Sequence, residues 1–358
     1  MYRSLSIRNF RCFREIELGD LERVNLIAGK NNVGKTALLE ALFLHSGPGN
    51  PSLAATVNQL RGMPIAPRDP ESAWRSLFYD LNLAEAIELS STDTDRASRS
   101  LRIFPGQEQA AHLALEQPEA KAPNEGRERA TSGAVVGRSL VFEHHSSSGE
   151  KRATRLFFDG IGFRIEPPPT PPPFPGIFQV AAGQPDLQAH AERYGNLQVQ
   201  RRERRVLELL QIIEPRLQGL TVVPIGGVAA VHGDVGLSTL VPVALMGGGM
   251  VRLFSLAVGV ASAEGGVVLM DEIDNGLYHA SMAKIWEALG AFARHCDTQL
   301  FCTTHSFECI ASAHEAFEKS GQYDFRLHRL EQMGEEIRAV TYDQETLAAA
   351  IESGLEVR

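Results

Sequence analysis

A glycine- and lysine-containing stretch near the start of the chain constrains the fold most strongly. It reads IAGKNNVGKTALLEAL and runs from Ile27 to Leu42 in a chain of 358 residues. The residues before its first glycine, Val24 to Ala28, are almost all β-branched or aliphatic, which is typical of a buried parallel strand. Apolar residues recur at helical spacing from Ala37 onward. The pattern therefore predicts a strand, a polar loop and a helix in direct succession.

The loop has the form G-x-x-x-x-G-K-T, and its glycines allow consecutive backbone N–H groups to turn toward an anion at a helix N-terminus. A lysine and a hydroxyl residue at the helix start suit the phosphates of ATP and its Mg²⁺ ion. We expect Lys35 to reach the β- and γ-phosphates, where it assists catalysis, and Thr36 to bind Mg²⁺. The predicted phosphate-binding residues are Gly29, Lys30, Asn31, Asn32, Val33, Gly34, Lys35 and Thr36.

Two later apolar segments end in residues that suit the same site. The predicted strand Val267 to Met270 leads directly into Asp271 and Glu272. Because parallel strands present their carboxyl ends to ligands, we predict that Asp271 holds Mg²⁺ and that Glu272 is the general base for an attacking water. A further apolar strand ends shortly before His305, with one predicted helix between the two strands. This position predicts a γ-phosphate sensor.

Three consecutive glycines precede an apolar helix in the second half of the chain: Gly247, Gly248 and Gly249. Their spacing alone fits two interpretations equally well. One is a simple turn at a helix start. The other is a second anion-binding loop that meets the γ-phosphate of a nucleotide bound to another copy of the chain. The presence of the other motifs favours the second interpretation.

These four elements, in this order, resemble the ABC-type ATPases of the SMC/RecF group, and most closely the prokaryotic AAA-annotated ATPases related to the OLD family. The resemblance rests on NNVGKTALLEALF, MGGGM, DEIDNGLYHA and CTTHSFECI. It implies an α/β P-loop ATPase head, a mixed sheet flanked by helices, with an inserted β-lobe and a helical lobe. It also implies a homodimer in which ATP is sandwiched between two heads. The glycine triplet would be the signature loop, Asn275 part of the D-loop and His305 the switch residue.

The chain departs from that family pattern at two positions. The signature serine is absent, because MGGGM places Met246 or Gly247 there, and a hydroxyl contact to the γ-phosphate is therefore missing. A glutamine for the Q-loop is not evident either, and Gln59 is a candidate without support from its neighbours. In nuclease-bearing relatives a Toprim domain follows the switch histidine. Here only residues 306–358 follow it, so we expect no intrinsic nuclease activity.

The motifs, the family resemblance and the composition along the chain together predict four regions. Residues 1–85 form the N-terminal part of the ATPase core with the P-loop, and residues 86–180 form an inserted β-rich lobe that ends in a proline-rich spacer. Residues 181–244 form a helical lobe and a strand lead-in, and residues 245–358 form the C-terminal part of the core. Within the β-rich lobe, the stretch Glu116 to Ala134 has the composition of a flexible surface segment.

The net charge of −9 provides no overall attraction to nucleic acid or to anionic membranes. The N-terminus has no signal-peptide pattern and no apolar run reaches membrane-spanning length, so we expect a cytoplasmic protein without a membrane partner. The leading functional hypothesis is a dimerising ATPase switch that acts with a separate effector in DNA maintenance or anti-phage defence. Two alternatives are a nucleotide-gated scaffold with little turnover and a RecF-like DNA-binding protein. The latter is supported only by the arginines in QRRERR, namely Arg201, Arg202, Arg204 and Arg205.

Overall fold

The computed structural model describes residues 1–63, 70–106, 139–158, 163–181 and 186–358. The predicted flexible segment from Glu116 to Ala134 lies outside these residues. In chain order the strands are β1 (Tyr2–Phe10), β2 (Phe13–Leu18), β3 (Val24–Gly29), β4 (Ile87–Asp93), β5 (Ser98–Gly106), β6 (Ser139–His145), β7 (Lys151–Phe158), β8 (Phe163–Glu166), β9 (Gly176–Gln179), β10 (Gly219–Ile225), β11 (Val228–Asp234), β12 (Val241–Pro242), β13 (Val267–Met270), β14 (Gln299–Thr303), β15 (Phe325–Met333) and β16 (Glu336–Tyr342). The α-helices are α1 (Lys35–Ser46), α2 (Leu53–Leu60), α3 (Leu187–Val199), α4 (Arg204–Leu210), α5 (Gly248–Ser262), α6 (Met282–His295), α7 (Phe307–Lys319) and α8 (Gln344–Glu352).

A six-stranded mixed sheet forms the centre of the fold, in the order β16-β15-β3-β14-β13-β9. All of its neighbouring pairs are parallel except β15 with β16. The strands β3, β13 and β14 are buried along their whole length, as expected for central parallel strands covered on both faces. Successive side chains of β3 point to opposite faces of the sheet, so Val24, Leu26 and Ala28 lie in one hydrophobic core and Ile27 lies in the other.

A seven-stranded antiparallel sheet packs beyond α1, in the order β2-β1-β4-β5-β6-β7-β8. One core joins α1 to both sheets, since Leu38 and Leu42 of the helix share it with Ile7 of β1 and Leu269 of β13. The predicted division of the chain into four regions stays a prediction. The sheets do not follow it strand by strand, because β1 and β2 pair with the β-rich segment and β9 pairs with β13 in the central sheet.

The other face of the central sheet is covered by helices. Leu253 of α5, Trp286 of α6 and Ile310 of α7 lie in the second core, together with Tyr194 of α3 and Leu210 of α4. A small antiparallel sheet of β10, β11 and β12 lies between α4 and α5 in the sequence. Among the described helices, none combines the length and the apolar character that a membrane-crossing segment needs.

The order of the central strands brings three turns to one edge of the sheet. Ile27 of β3 pairs with Thr303 of β14, and Cys302 of β14 pairs with Met270 of β13. The loop after β3, the turn after β13 and the end of β14 are therefore neighbours at the carboxyl edge. In parallel α/β sheets this is the edge where ligands bind.

Candidate nucleotide-binding site

The loop between β3 and α1 has a backbone that only glycine adopts without strain at two positions. Gly29 has a φ of +142° and Gly34, which precedes the first residue of α1, has a φ of +99°. A Cβ atom on Gly34 would lie 2.7 Å from Cys12 Sγ, and one on Gly29 would lie 2.7 Å from the Leu330 carbonyl oxygen. The two glycines therefore fit both the conformation and the limited space. The loop ends at the N-terminus of a 12-residue helix, which favours anions.

The ammonium group of Lys35 lies over this loop. Its Nζ donates hydrogen bonds to the carbonyl oxygens of Gly29, at 2.7 Å, and Lys30, at 3.0 Å. Burial lowers the pKa of Lys35 below its usual value, while the carboxylates of Asp271 and Glu272 act in the opposite direction. A partly desolvated cation at this position is suited to bind phosphate oxygens.

Asp271 connects the helix after the loop to the central sheet. The Thr36 hydroxyl donates to Asp271 Oδ2 at 2.9 Å, and the Thr303 hydroxyl donates to Asp271 Oδ1 at 2.6 Å. A hydroxyl and a carboxylate side by side are the hard oxygen ligands that Mg²⁺ prefers, with water and phosphate completing its shell. In the described part of the chain, no group of three or more His, Cys, Asp or Glu side chains could hold a metal ion. The Thr36 hydroxyl and the Asp271 carboxylate therefore fit Mg²⁺ that is bound together with a nucleotide.

The main chain of Glu272 is held in a left-handed conformation, with a φ of +50°. Its N–H donates to Thr303 Oγ1 at 2.7 Å, and its carbonyl oxygen accepts from Arg252 Nη2 at 2.9 Å. The same guanidinium nitrogen also donates to the carbonyl oxygen of Asp271. Such backbone strain persists only where neighbouring groups fix it, and it occurs often at functional sites. Thr303 and Arg252 together fix the position of the predicted general base.

One cavity of about 780 Å³ brings together most of the residues predicted for nucleotide binding and hydrolysis. His305, which is exposed, also lines this cavity. Of the predicted site residues, the cavity is lined by Asn31, Asn32, Gly34, Lys35, Thr36, Asp271, Glu272 and His305. Their individual roles stay predictions, but three separate segments of the sequence converge on one space.

Other predicted residues lie outside that cavity. Lys30 and Val33 line an adjoining space of about 530 Å³ near the turn between β15 and β16. Gly248 and Asn275 line a third cavity of about 700 Å³, and Gly247 is exposed just before α5. Gly249 packs so closely on the Gly276 carbonyl oxygen that a Cβ atom would overlap it. Within one chain, then, the glycine triplet adjoins the predicted D-loop and does not line the P-loop cavity.

Arg11 and Arg61 also line the P-loop cavity, and both pair with the buried carboxylate of Glu40. Glu40 is 1% exposed and accepts hydrogen bonds from Arg11 at 3.0 Å and from Arg61 at 2.5 Å. Arg11 also donates to Asn58 Oδ1 at 2.8 Å. Burial lowers the pKa of Arg11, whereas Glu40 favours its charged form. Because two guanidinium groups share one carboxylate, this three-residue cluster has a net positive charge.

Several residues of the site are not evident from the sequence motifs. Arg252 could have been found as a lone cation in the apolar helix α5, since buried arginines are rarely unpaired. Arg11 and Arg61 have no such signal because their partner Glu40 lies on α1. The Q-loop candidate Gln59 is exposed on α2 and does not line the cavity. Another glutamine, Gln179, is the last residue of β9 and pairs with Met270. Its side chain donates a hydrogen bond to the Ser255 carbonyl oxygen in α5 at 2.6 Å.

Comparison with known proteins identifies the family. Residues 24–310, well over half of the chain, match the family described as "AAA domain, putative AbiEii toxin, Type IV TA system". The chain belongs to this family. The match begins at the first residue of β3 and extends beyond His305, so it includes all the predicted site residues.

Two curated relatives match shorter parts of this AAA-family chain. An "ATP/GTP phosphatase" of Helicobacter pylori is 32% identical over 105 residues, which cover 29% of the chain and 28% of that protein. An "Uncharacterized protein MJECL10" of Methanocaldococcus jannaschii is 50% identical over 44 residues, which cover 12% of the chain and 20% of that protein. The chain thus matches less than a third of the length of either relative.

Solved structures of SMC heads share the fold over nearly the whole chain. A SMC head bound to the C-terminal winged-helix domain of ScpA aligns with a TM-score of 0.51 at 12% identity, covering 97% of this chain and 99% of that one. A SMC head with an extended coiled coil, bound to the C-terminal domain of ScpA from Pyrococcus furiosus, aligns with a TM-score of 0.51 at 11% identity, covering 98% of each chain. The predicted fold class is therefore confirmed, and so is the predicted resemblance to the SMC/RecF group at the level of the fold.

Proposed function

We propose that this protein is an ATPase switch. It binds ATP in the cavity between the phosphate loop and the carboxyl ends of β13 and β14, and it hydrolyses the nucleotide to ADP and phosphate. The observation that carries the proposal is the convergence of Lys35, Thr36, Asp271, Glu272 and His305 on one cavity of about 780 Å³. Small-molecule sites usually have volumes of about 300–1,000 Å³, so the space suits a nucleotide.

The reaction is the in-line transfer of the γ-phosphoryl group to water. Glu272 accepts a proton from the attacking water, the new bond forms between water oxygen and phosphorus, and the bond to the ADP oxygen breaks. Lys35 and the backbone N–H groups of the loop hold the triphosphate, and His305 contacts its γ-phosphate. Thr36 and Asp271 would hold Mg²⁺, which when bound neutralises charge on the phosphates. The fixed main chain of Glu272 supports this role, because a general base must be held within hydrogen-bonding reach of its water.

Two copies of the chain would complete each other's sites. The glycine triplet Gly247 to Gly249 lies outside the P-loop cavity of its own chain, and two of its glycines are exposed. Its backbone N–H groups precede or begin the 15-residue helix α5, so they are oriented to bind an anion offered by a partner. In this arrangement ATP joins two heads, Asn275 lies at their interface, and hydrolysis separates them.

The test of this proposal is the Glu272→Gln variant. The amide keeps the shape of the side chain and all phosphate-binding groups, but it does not act as a base. We expect phosphate release to fall by at least about a hundredfold, a typical range for loss of a general base. On a sizing column with ATP and Mg²⁺, the variant should elute as a dimer, and Lys35→Ala should remain a monomer. A Glu272→Gln protein that binds ATP but stays monomeric would contradict the sandwich.

A nucleotide-gated scaffold is the second candidate, and one feature favours it. Met246 or Gly247 stands where ABC-type proteins have the signature serine, so one hydroxyl contact to the γ-phosphate is missing. A scaffold would dimerise with ATP while wild type and Glu272→Gln release phosphate at the same low rate. A wild-type rate well above that of the variant would rule it out.

The output of the switch is proposed to be a contact with a separate effector protein. The two similar SMC heads are each bound to a domain of ScpA, and this chain would have a partner protein of its own. We place the role in DNA maintenance or anti-phage defence. Direct contact with DNA is less favoured, because Arg202 already pairs with Glu264 and Arg204 with Glu208.

A further inference from the structure

Two consecutive residues at the rim of the P-loop cavity have left-handed backbone conformations. Asp80 has a φ of +51° and Leu81 a φ of +56°, and both line the cavity together with the phosphate loop. Such angles are uncommon for residues other than glycine, and for a bulky residue such as leucine they indicate strain. The side chain of Leu81 is moreover exposed, at 59%. A strained, exposed leucine beside a ligand cavity calls for a functional explanation.

The strained pair is held by well-anchored neighbours. Phe78, two residues earlier, is 1% exposed and forms a β-bridge with Phe10 at the end of β1. The N–H of Arg11 donates to the Leu77 carbonyl oxygen at 2.7 Å, and the Arg11 side chain donates to the Ser76 carbonyl oxygen at 3.1 Å. These bonds fix the segment against the turn between β1 and β2, so the conformation of the rim belongs to the folded structure.

The pair offers two kinds of binding group. Within the described chain, the carboxylate of Asp80 has no hydrogen-bonding or ion-pairing partner, and Leu81 presents an apolar surface. A carboxylate repels a triphosphate, whereas Lys35 and the loop attract it at another part of the same cavity. Asp80 is therefore suited to the uncharged end of a nucleotide.

We propose that the Phe78–Leu81 rim binds the nucleoside of the triphosphate, with Asp80 accepting hydrogen bonds from the ribose hydroxyls and Leu81 packing against the base. An ionised carboxylate only accepts hydrogen bonds, and the ribose diol supplies donors in ATP and GTP alike. The leucine surface makes no hydrogen bonds and accepts either purine. The inference rests on the proposed nucleotide site and adds that the site selects a ribonucleotide without selecting the base.

The test compares four ligands by calorimetry on the full chain: ATP, GTP, 2′,3′-dideoxy-ATP and inorganic tripolyphosphate. Asp80→Asn should weaken the binding of ATP and GTP by about tenfold, the effect of a charge-assisted hydrogen bond, and should not weaken the binding of dideoxy-ATP or tripolyphosphate. Leu81→Gly should weaken the binding of ATP, GTP and 2′,3′-dideoxy-ATP but not the binding of tripolyphosphate. Its folding stability should not fall, because glycine tolerates the left-handed conformation. Matched controls are Asp95→Asn and Arg96→Gly, in an exposed turn between β4 and β5 where Arg96 has a φ of +59°.

Two outcomes separate this inference from the proposed function. If both rim variants bind ATP like wild type while Lys35→Ala loses ATP and tripolyphosphate, the rim does not bind the nucleoside and the ATPase proposal stands. The same conclusion follows if Asp80→Asn weakens tripolyphosphate as much as ATP. If Lys35→Ala leaves ATP binding unchanged, the proposed site itself is wrong.

Discussion

The hydroxyl of Thr303 donates to Asp271 Oδ1 at 2.6 Å and accepts from the main-chain N–H of Glu272 at 2.7 Å. A single side chain thus contacts both the proposed Mg²⁺ ligand and the proposed base. Thr303 is fully buried at the end of β14, so water does not replace these bonds. Groups that orient metal ligands from behind commonly change affinity or activity by 10–100-fold when they are removed.

Replacing Thr303 by valine should therefore damage both the fold and the site. The valine keeps the shape but leaves the Glu272 N–H without its partner, at a cost of about 1–3 kcal/mol in the free energy of unfolding. Phosphate release should fall about 10–100-fold. Urea unfolding and a phosphate assay measure the two effects.

Two controls distinguish a site effect from a general loss of stability. Thr303→Ser keeps the hydroxyl and should recover most of the activity. Thr298→Val removes another fully buried hydroxyl, which donates to the Ala263 carbonyl oxygen at 3.0 Å away from the cavity. If Thr298→Val reduces phosphate release as much as Thr303→Val, the bonds of Thr303 have no special role.

Arg252 is expected to affect turnover more than nucleotide affinity. Its guanidinium holds the main chain of Glu272 from α5, but it does not line the P-loop cavity. Arg252→Met keeps much of the packing and loses these bonds, so kcat should fall about tenfold or more while KM for ATP changes little. Steady-state phosphate release over a range of ATP concentrations gives both values. Arg294→Met, which removes an ion pair with Asp324 on the helical face, is the matched control. A change in KM alone would show that Arg252 acts on binding.

Gly34 should not tolerate even one added methyl group. Alanine there meets both an unfavourable φ of +99° and the side chains of Cys12 and Phe13. Gly149, in the turn between β6 and β7, has a φ of +80° with open space around its Cβ position. Gly149→Ala should lose about 1–2 kcal/mol of stability from backbone conformation alone. Gly34→Ala should lose more and should also lose ATP binding, as measured by urea unfolding and calorimetry. Equal losses in the two variants would mean that crowding at Gly34 is unimportant.

The sequence predicts the parts of this site that are formed by residues adjacent to one another in the chain. The loop from Gly29 to Thr36 and the strand before Asp271 each have local patterns of glycine, apolar and polar residues, and the structure brings them to one edge of the central sheet. Long-range pairing was not predictable in the same way. Nothing in the local pattern shows that β1 pairs with β4, from which the phosphate loop separates it in the sequence, or that β9 pairs with β13.

The same reasoning explains which site residues the sequence did not indicate. Glu40 appears as one polar residue in a helix, and only the fold shows that it lies buried between Arg11 and Arg61. The pair Asp80 and Leu81 has no glycine to signal its left-handed backbone, because surrounding contacts impose it. Ion pairs and strain depend on tertiary packing, which residue order alone does not specify.

Stability should fall in mild acid because of a buried histidine. His45 is 3% exposed, and its Nδ1 is 2.8 Å from the Tyr2 hydroxyl. Burial lowers the pKa of His45 from 6.5 to about 4. Between these values the unfolded chain binds a proton and the folded chain does not, so unfolding becomes more favourable as the pH falls from about 6.5 to 4. The contribution at the acid end is about 3 kcal/mol, at 1.36 kcal/mol for each pKa unit.

The His45→Gln variant should therefore show a shallower loss of stability over this pH range, although it starts from a lower value at pH 7 because the bond to Tyr2 is altered. Urea unfolding at half-unit pH steps measures the slope. His328 should keep part of the acid sensitivity in the variant, since burial lowers its pKa to about 3. His145→Gln, at an exposed position in β6, should retain the wild-type slope. If His45→Gln also retains it, then protonation of His45 does not drive the acid response, and His328 and other buried groups would have to account for it.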